Sequence, residues 1–145
     1  MRLNIQTDYA LRFLTYAALV APQPVSVTDA AARFRVSSHH LMKVAKSLTR
    51  EGFLVSTRGR SGGFRLSRSP GEIVVGDVVR KIEREIGLVE CMRIKESACP
   101  IVPACRLPML LNEATMAFLA VLDSRTLADL TAKNAALLPL LERAS

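Results

Sequence analysis

Residues 26–67 read SVTDAAARFRVSSHHLMKVAKSLTREGFLVSTRGRSGGFRLS, and the spacing within this stretch sets the fold. Ser26 with Asp29 three positions on resembles a capping box, with Asp in place of the usual Glu, and opens a short Ala-rich helix over about Val27 to Phe34. Arg35-Val36-Ser37 is a turn, and Ser37 or Ser38 caps a second helix running to about Glu51. Leu41, Val44, Ala45 and Leu48 recur at helical spacing and form its inward stripe, leaving His39, His40, Lys43, Lys46, Ser47 and Arg50 largely outside it. Gly52 closes that helix. Phe53 to Thr57 and Phe64 to Ser67 then read as two short strands, joined by Arg58-Gly59-Arg60-Ser61-Gly62-Gly63, whose glycines permit a tight hairpin. Two helices across a tight turn, followed by such a hairpin, make a winged helix-turn-helix.

Upstream, Tyr9 to Val20 reads as a helix with Thr7 or Asp8 placed to cap it, and Ala21-Pro22-Gln23-Pro24 ends it because proline lacks an amide donor. Downstream, Ser69-Pro70-Gly71 breaks the pattern and Val74 to Glu85 forms a further amphipathic helix. A segment rich in turn and breaker residues follows. Leu107 to Asp123 is a longer helix with Leu107, Leu110, Leu111, Ala114, Phe118, Val121 and Leu122 on one stripe. That stripe either folds onto its own chain or meets a second copy, and two-fold dimers are what read symmetric DNA sites. The fold class is mainly α with a small β-hairpin. The winged helix-turn-helix domain occupies residues 1–85, a cysteine loop 86–106, and a dimerisation helix with a C-terminal helix 107–145.

The formal net charge of +7 is unevenly placed. From Arg33 to Arg68 there are nine Lys or Arg and one acid, Glu51, whereas Ser69 to Ser145 holds nine basic and ten acidic residues. One basic face suits a polyanion such as double-stranded DNA, with a solvated basic face as the plain alternative. Ser38, His39, His40 and Lys43 take the first turns of the recognition helix, where base edges are read, while Lys46 and Arg50 are placed for phosphates. Arg58 and Arg60 on the glycine-rich tip suit a narrow minor groove. Arg65 joins them or simply alternates outward on its strand, and the two histidines are otherwise polar filler or metal ligands.

No apolar run approaches the roughly 20 residues of a bilayer span, and the first residues lack the apolar core of a secretory signal. The expectation is a cytoplasmic protein without membrane attachment. No nucleotide loop or triad-like constellation appears, so no enzyme is expected. Cys91, Cys99 and Cys105 are the only cysteines and fall within fifteen residues. Their odd number argues against a disulfide framework, and the close pairs usual for zinc are missing. Wide spacing suits thiolates around a larger inorganic core such as an iron–sulfur cluster, which typically takes four ligands. Buried structural thiols, a redox thiol switch, and a zinc site completed by His or Asp remain open alternatives.

Met1-Arg2-Leu3, Thr7-Asp8-Tyr9-Ala10-Leu11-Arg12, the hairpin Arg58 to Gly63 and the cysteine loop together resemble the winged-helix iron–sulfur repressor family of the IscR/RirA/NsrR type. The likeness covers nearly the whole chain. His40-Leu41-Met42-Lys43-Val44, Leu88-Val89-Glu90-Cys91, Cys99 to Leu107, and Ala117 to Asp123 with Thr126 to Leu130 are most similar to its nitric-oxide-sensing branch. The resemblance implies that Cys91, Cys99 and Cys105 bind a [4Fe–4S] cluster, with [2Fe–2S] as the alternative. It also implies that Asp8 supplies the fourth ligand across a homodimer. The implied function is a nitric-oxide-sensing repressor that holds operator DNA while the cluster is intact and releases it on nitrosylation or cluster loss. An iron- or redox-responsive regulator of the same family is the rival, and an iron–sulfur enzyme a more distant one.

Overall fold

Helix α1 (Ile5–Leu19) begins four residues before Tyr9, where the sequence places its start. Asn4 is the reason: its side-chain oxygen accepts from the backbone N–H of Gln6 at 2.8 Å and of Thr7 at 2.9 Å, satisfying two donors of the first turn. Neither Thr7 nor Asp8 is therefore the cap. Thr7 is fully buried inside the helix, and Asp8 lies in the first turn. The computed structural model describes all residues except 1–2, 60–61, 84–85, 94–96, 133, 135 and 144–145, and leaves out the side chain of Arg93.

Helix α2 (Val27–Phe34) and helix α3 (Ser38–Arg50) form as expected, capped by Ser26 and Ser37. The capping box at Ser26 is only half made. Ser26 accepts from the Asp29 N–H, but the Asp29 carboxylate turns away, to Arg33 and to the Tyr16 hydroxyl. The turn between the helices places Arg35 in the left-handed region at φ 54°. Gly52 ends α3 at φ 78°; its N–H reaches the Thr49 carbonyl and that of Phe53 the Leu48 carbonyl, the paired closure that a left-handed glycine permits.

Strands β1 (Leu54–Thr57) and β2 (Gly63–Leu66) pair antiparallel, with Leu54 opposite Leu66 and Thr57 opposite Gly63. Phe53 and Ser67 fall just outside the ladder, still joined by a Ser67 N–H to Phe53 carbonyl bond of 3.0 Å. Val25 adds a bridge to Phe64, and the Phe64 ring meets Phe13 edge-on at 6.2 Å, so the wing is tied to α1. One core holds these parts together, built on Phe13, Leu14, Leu41, Leu48, Phe53, Leu54, Ile73, Val78 and Leu127. Burying each of these large side chains contributes roughly 1.5–3 kcal/mol.

A 3-10 turn, Pro70–Glu72, precedes α4 (Val75–Ile82). That helix is shorter than expected because Val74 is its N-cap and Glu83 is extended at its C-terminus; Glu85 lies outside the described residues. A single turn, α5 (Glu90–Arg93), lies within the expected loop and carries Cys91. Helix α6 (Leu107–Asp123) has the expected bounds, and α7 (Leu127–Thr131) and α8 (Leu137–Arg143) follow. The seven-residue apolar stripe of α6 divides. Leu111, Phe118 and Leu122 are half-buried and Leu107, Leu110, Ala114 and Val121 are exposed, while the two buried residues of the helix, Thr115 and Leu119, lie off the expected stripe. Arg80 of α4 holds Asp123 through two hydrogen bonds of 2.6 and 2.5 Å. Among the described residues no helix is long and apolar enough to cross a membrane.

Gly63 has no room for a side chain. A Cβ there would lie 2.5 Å from the Val25 carbonyl oxygen and 2.8 Å from its carbon, backbone atoms that the Val25–Phe64 bridge holds in place. Gly63→Ala is expected to lower stability by about 1–3 kcal/mol, read by urea denaturation, while Gly71→Ala, where the space is open, changes little.

Candidate nucleic-acid interface and cysteine segment

Helix α3 is one-sided because its four apolar residues turn to the core together. Leu41, Val44, Ala45 and Leu48 are all buried. His39, Lys43, Lys46 and Arg50, alternately four and three residues apart, run along the opposite side and are exposed, as is Ser38 at the start of the helix. Lys43 and Lys46 have no ion-pair partner among the described residues; Arg50 touches Glu51 at 3.3 Å and the Ser47 hydroxyl at 3.3 Å. His40 sits differently. It lies on the flank of α3, lining a cavity of about 200 Å³ with Ile5, Gln6, Tyr9, Lys43 and Val44, next to the start of α1.

On the wing, Arg58 is exposed beside Gly59, which adopts φ 113°. Arg65 is exposed on β2 opposite exposed Val55, on the outer face of the hairpin. Arg60 and Ser61, at the tip, lie outside the described residues. The two arginines bounding the basic stretch both make tertiary contacts, Arg68 while remaining exposed. Arg68 lies over the buried Phe53 ring at 5.6 Å, joined there by Lys81 at 5.5 Å. Arg33 is engaged in ion pairing with Asp29.

The three cysteines are free thiols, Cys91 and Cys105 half-buried and Cys99 exposed. Around Cys99 and Cys105 the backbone is held by short-range bonds: Cys99 N–H to the Ser97 hydroxyl at 3.3 Å, Val102 N–H to the Cys99 carbonyl and Cys105 N–H to the Val102 carbonyl, both 3.3 Å. Among the described residues no three His, Cys, Asp or Glu side chains converge into a metal-holding group. The donors nevertheless suit an iron–sulfur cluster chemically: three thiols outside any disulfide and outside the sealed core. Asp8 is part-exposed and pairs with Arg12, Nε to Oδ1 at 2.9 Å and Nη2 to Oδ2 at 2.7 Å.

Sequence reasoning missed Glu83. Its carboxylate accepts from the Asn4 backbone N–H and side-chain amide, each at 3.0 Å, and from the buried Thr7 hydroxyl at 2.7 Å. This clamp fastens the start of α1, one residue before Asp8, to the end of α4, from which the chain runs on to Cys91. The partners are 76 and 79 residues apart, so no local pattern announces them. Asn4→Ala removes the cap of α1 and the side-chain amide contact to Glu83 together, leaving the backbone N–H contact in place. It is expected to cost about 1–2 kcal/mol, measured by chemical denaturation, with amide exchange rising first in the opening turn of α1.

The model of the Rrf2 family, described as an iron-dependent transcriptional regulator, matches residues 3–133. The chain is 45% identical to the HTH-type transcriptional regulator NsrR of Geobacillus kaustophilus, over 98% of this chain and 97% of that protein. It is 41% identical to the HTH-type transcriptional regulator NsrR of Bacillus subtilis, over 98% of both. Among solved structures, CymR, the global cysteine regulator of B. subtilis, superposes with a TM-score of 0.72 at 29% identity, covering 91% of this chain and 97% of that one. IscR of T. potens does so with a TM-score of 0.67 at 26% identity, over 90% and 85%.

Proposed function

The chain belongs to the Rrf2 family of transcriptional regulators, and on that premise we propose a nitric-oxide-sensing repressor that binds operator DNA as a homodimer and releases it when its iron–sulfur cluster is nitrosylated or lost. Cys91, Cys99 and Cys105 are the thiolate ligands in this reading, the cluster is [4Fe–4S], and Asp8 of the opposite subunit completes the set. The protein works in the cytoplasm. Asp8 would hold iron through a carboxylate, a harder and more readily displaced ligand than a thiolate, and the cluster would supply a centre reactive towards nitric oxide.

The observation that carries this reading is the position of Asp8. Asn4 caps α1, which leaves the Asp8 carboxylate free of backbone duty, part-exposed, and, among the described residues, engaged only with Arg12. An exposed ion pair four residues apart contributes only about 0.3–0.5 kcal/mol, so exchanging Arg12 for another partner costs little. Asp8 stands on the same helix as Tyr9, which meets His40, Lys43 and Val44 of α3 across one cavity. A bond at Asp8 therefore acts on a helix in direct contact with the reading helix.

On the DNA side, Ser38, His39, His40 and Lys43 read base edges, Lys46 and Arg50 hold phosphates, and Arg58, Arg60 and Arg65 follow the wing toward the minor groove. The exposed apolar residues Leu107, Leu110 and Val121 of α6 face the second subunit, placing two reading heads for half-sites about one helical turn apart.

Operator affinity measured for cluster-loaded, nitric-oxide-treated and apo protein should be highest for the first. Equal binding by all three overturns the switch. Arg60→Ala should weaken operator binding and lower the slope of log affinity against log salt by about 0.9, the signature of one lost phosphate contact; an unchanged slope and affinity remove the wing from the interface.

A further inference from the structure

One polar junction lies apart from both the reading surface and the cysteine segment. It joins α1, α2 and α8 around Arg33, whose side chain is only 19% exposed although it opens the basic stretch of the sequence. Its Nε donates to both Asp29 oxygens at 3.0 and 2.9 Å, and its guanidinium lies over the Tyr16 ring, 5.5 Å from the centroid. Its Nη1 donates to the Leu141 carbonyl at 3.3 Å, across 108 residues of chain. The Tyr16 hydroxyl donates to the same Asp29 carboxylate at 2.9 Å, and its ring meets Phe34 edge-on at 6.1 Å. Burial and the Asp29 carboxylate push the Tyr16 phenol up to about 12, which keeps its proton in that bond. Arg33 holds the Asp29 carboxyl below its ordinary value.

Leu141 stands in the last turn of α8, where carbonyls have no partner within the helix and a cation is favoured by the helix dipole. A seven-residue helix does not persist on its own. Helix α8 depends on docking, through Leu138 and Leu141 against the core and through Arg33 on its carbonyl end. The element it docks on is α2, which packs directly on α3. We infer that α8 is a strap that fixes the first helix of the helix-turn-helix and that Arg33 is its latch, serving DNA reading as a positioning residue and not as a phosphate contact. Base-edge hydrogen bonds weaken steeply with a few tenths of an ångström or tens of degrees of misplacement. A helix pair free to rock on the core would lose them.

This inference rests on α3 being the reading helix, and the test separates the two. The probe is a duplex selected from a random pool by the cluster-loaded full-length parent. Arg33→Gln and Leu138→Asn, alone and combined, are compared with the parent by fluorescence anisotropy over a salt series, amide exchange, visible spectrum and thermal unfolding. Leu138→Asn changes no charge and leaves α2 intact, so it carries the test if Arg33→Gln is poorly folded. Both variants should lose protection in α8, keep the visible spectrum, and bind the duplex about tenfold more weakly, equivalent to about 1.4 kcal/mol. The salt slope should stay at the parent value, and the double variant should match the single ones, because both undo one docking. A slope reduced by about 0.9 in Arg33→Gln, with Leu138→Asn binding like the parent, makes Arg33 a phosphate contact and overturns the strap. So does parental affinity in variants whose α8 exchanges freely. A parent that selects no duplex removes the DNA reading itself, and the strap with it.

Discussion

Everything on the proposed DNA surface depends on the burial of one side of α3. Leu41, Val44, Ala45 and Leu48 are sealed against α1 and α2, and because a helix repeats every 3.6 residues, their burial fixes where the other side chains point. His39, Lys43, Lys46 and Arg50 are left on the far side without deep partners. The closure at Gly52 then stops the helix and hands the chain to Phe53, whose burial brings β1 and the wing beside it. A charged face, a helix end and a hairpin thus follow from one apolar stripe.

Helix α1 acts as the beam to which the other parts are attached. Its first turn is fastened to α4 through Asn4, Thr7 and Glu83, and its middle carries Phe13, which supports the wing through Phe64. Tyr16, one turn further on, enters the junction with Asp29 and Arg33. Helix α1 thus contacts α4, the wing and the helix-turn-helix, the last through the Tyr16–Asp29 bond and through its packing on α3.

The parts of this architecture legible in the sequence are those with a local period or a local cap. Ser26, Ser37 and Gly52 are read correctly because each acts within four residues of itself. The bounds of α6 are equally plain, since its apolar residues recur at helical spacing from Leu107 to Leu122. The start of α1 was misplaced because two acceptors, Asn4 and Asp8, stood within one turn of each other, and only the fold shows Asn4 also braced by Glu83. The partners of Arg33 and Arg68 at the ends of the basic stretch were equally out of reach, because Asp29 and Phe53 meet them through contacts made by the tertiary fold. The grouping of the cysteines was visible, but not their arrangement, because the turns that hold Cys99 and Cys105 are set by local backbone bonds that leave no periodic pattern.

Helix α6 shows how these constraints combine. Its inner side, with Thr115 and Leu119, packs on α4, and its C-terminal end is locked by the Arg80–Asp123 pair and by the Leu127 N–H bond to the Ile73 carbonyl. Gly76 permits that lock, since a Cβ there would collide with the Asp123 carboxylate. The outer side leaves Leu107, Leu110 and Val121 at 48%, 61% and 66% exposure, a contiguous apolar strip of the kind that marks an interaction surface. Leu107, Leu110, Ala114, Ala117 and Val121 alternate at three and four residues, the spacing that lets two helices pack along their length. Pairing along that strip would set the distance between two reading heads through a helix that cannot swing on its own domain. Half-site spacing would then be a property of the α4–α6 lock as much as of the dimer contact.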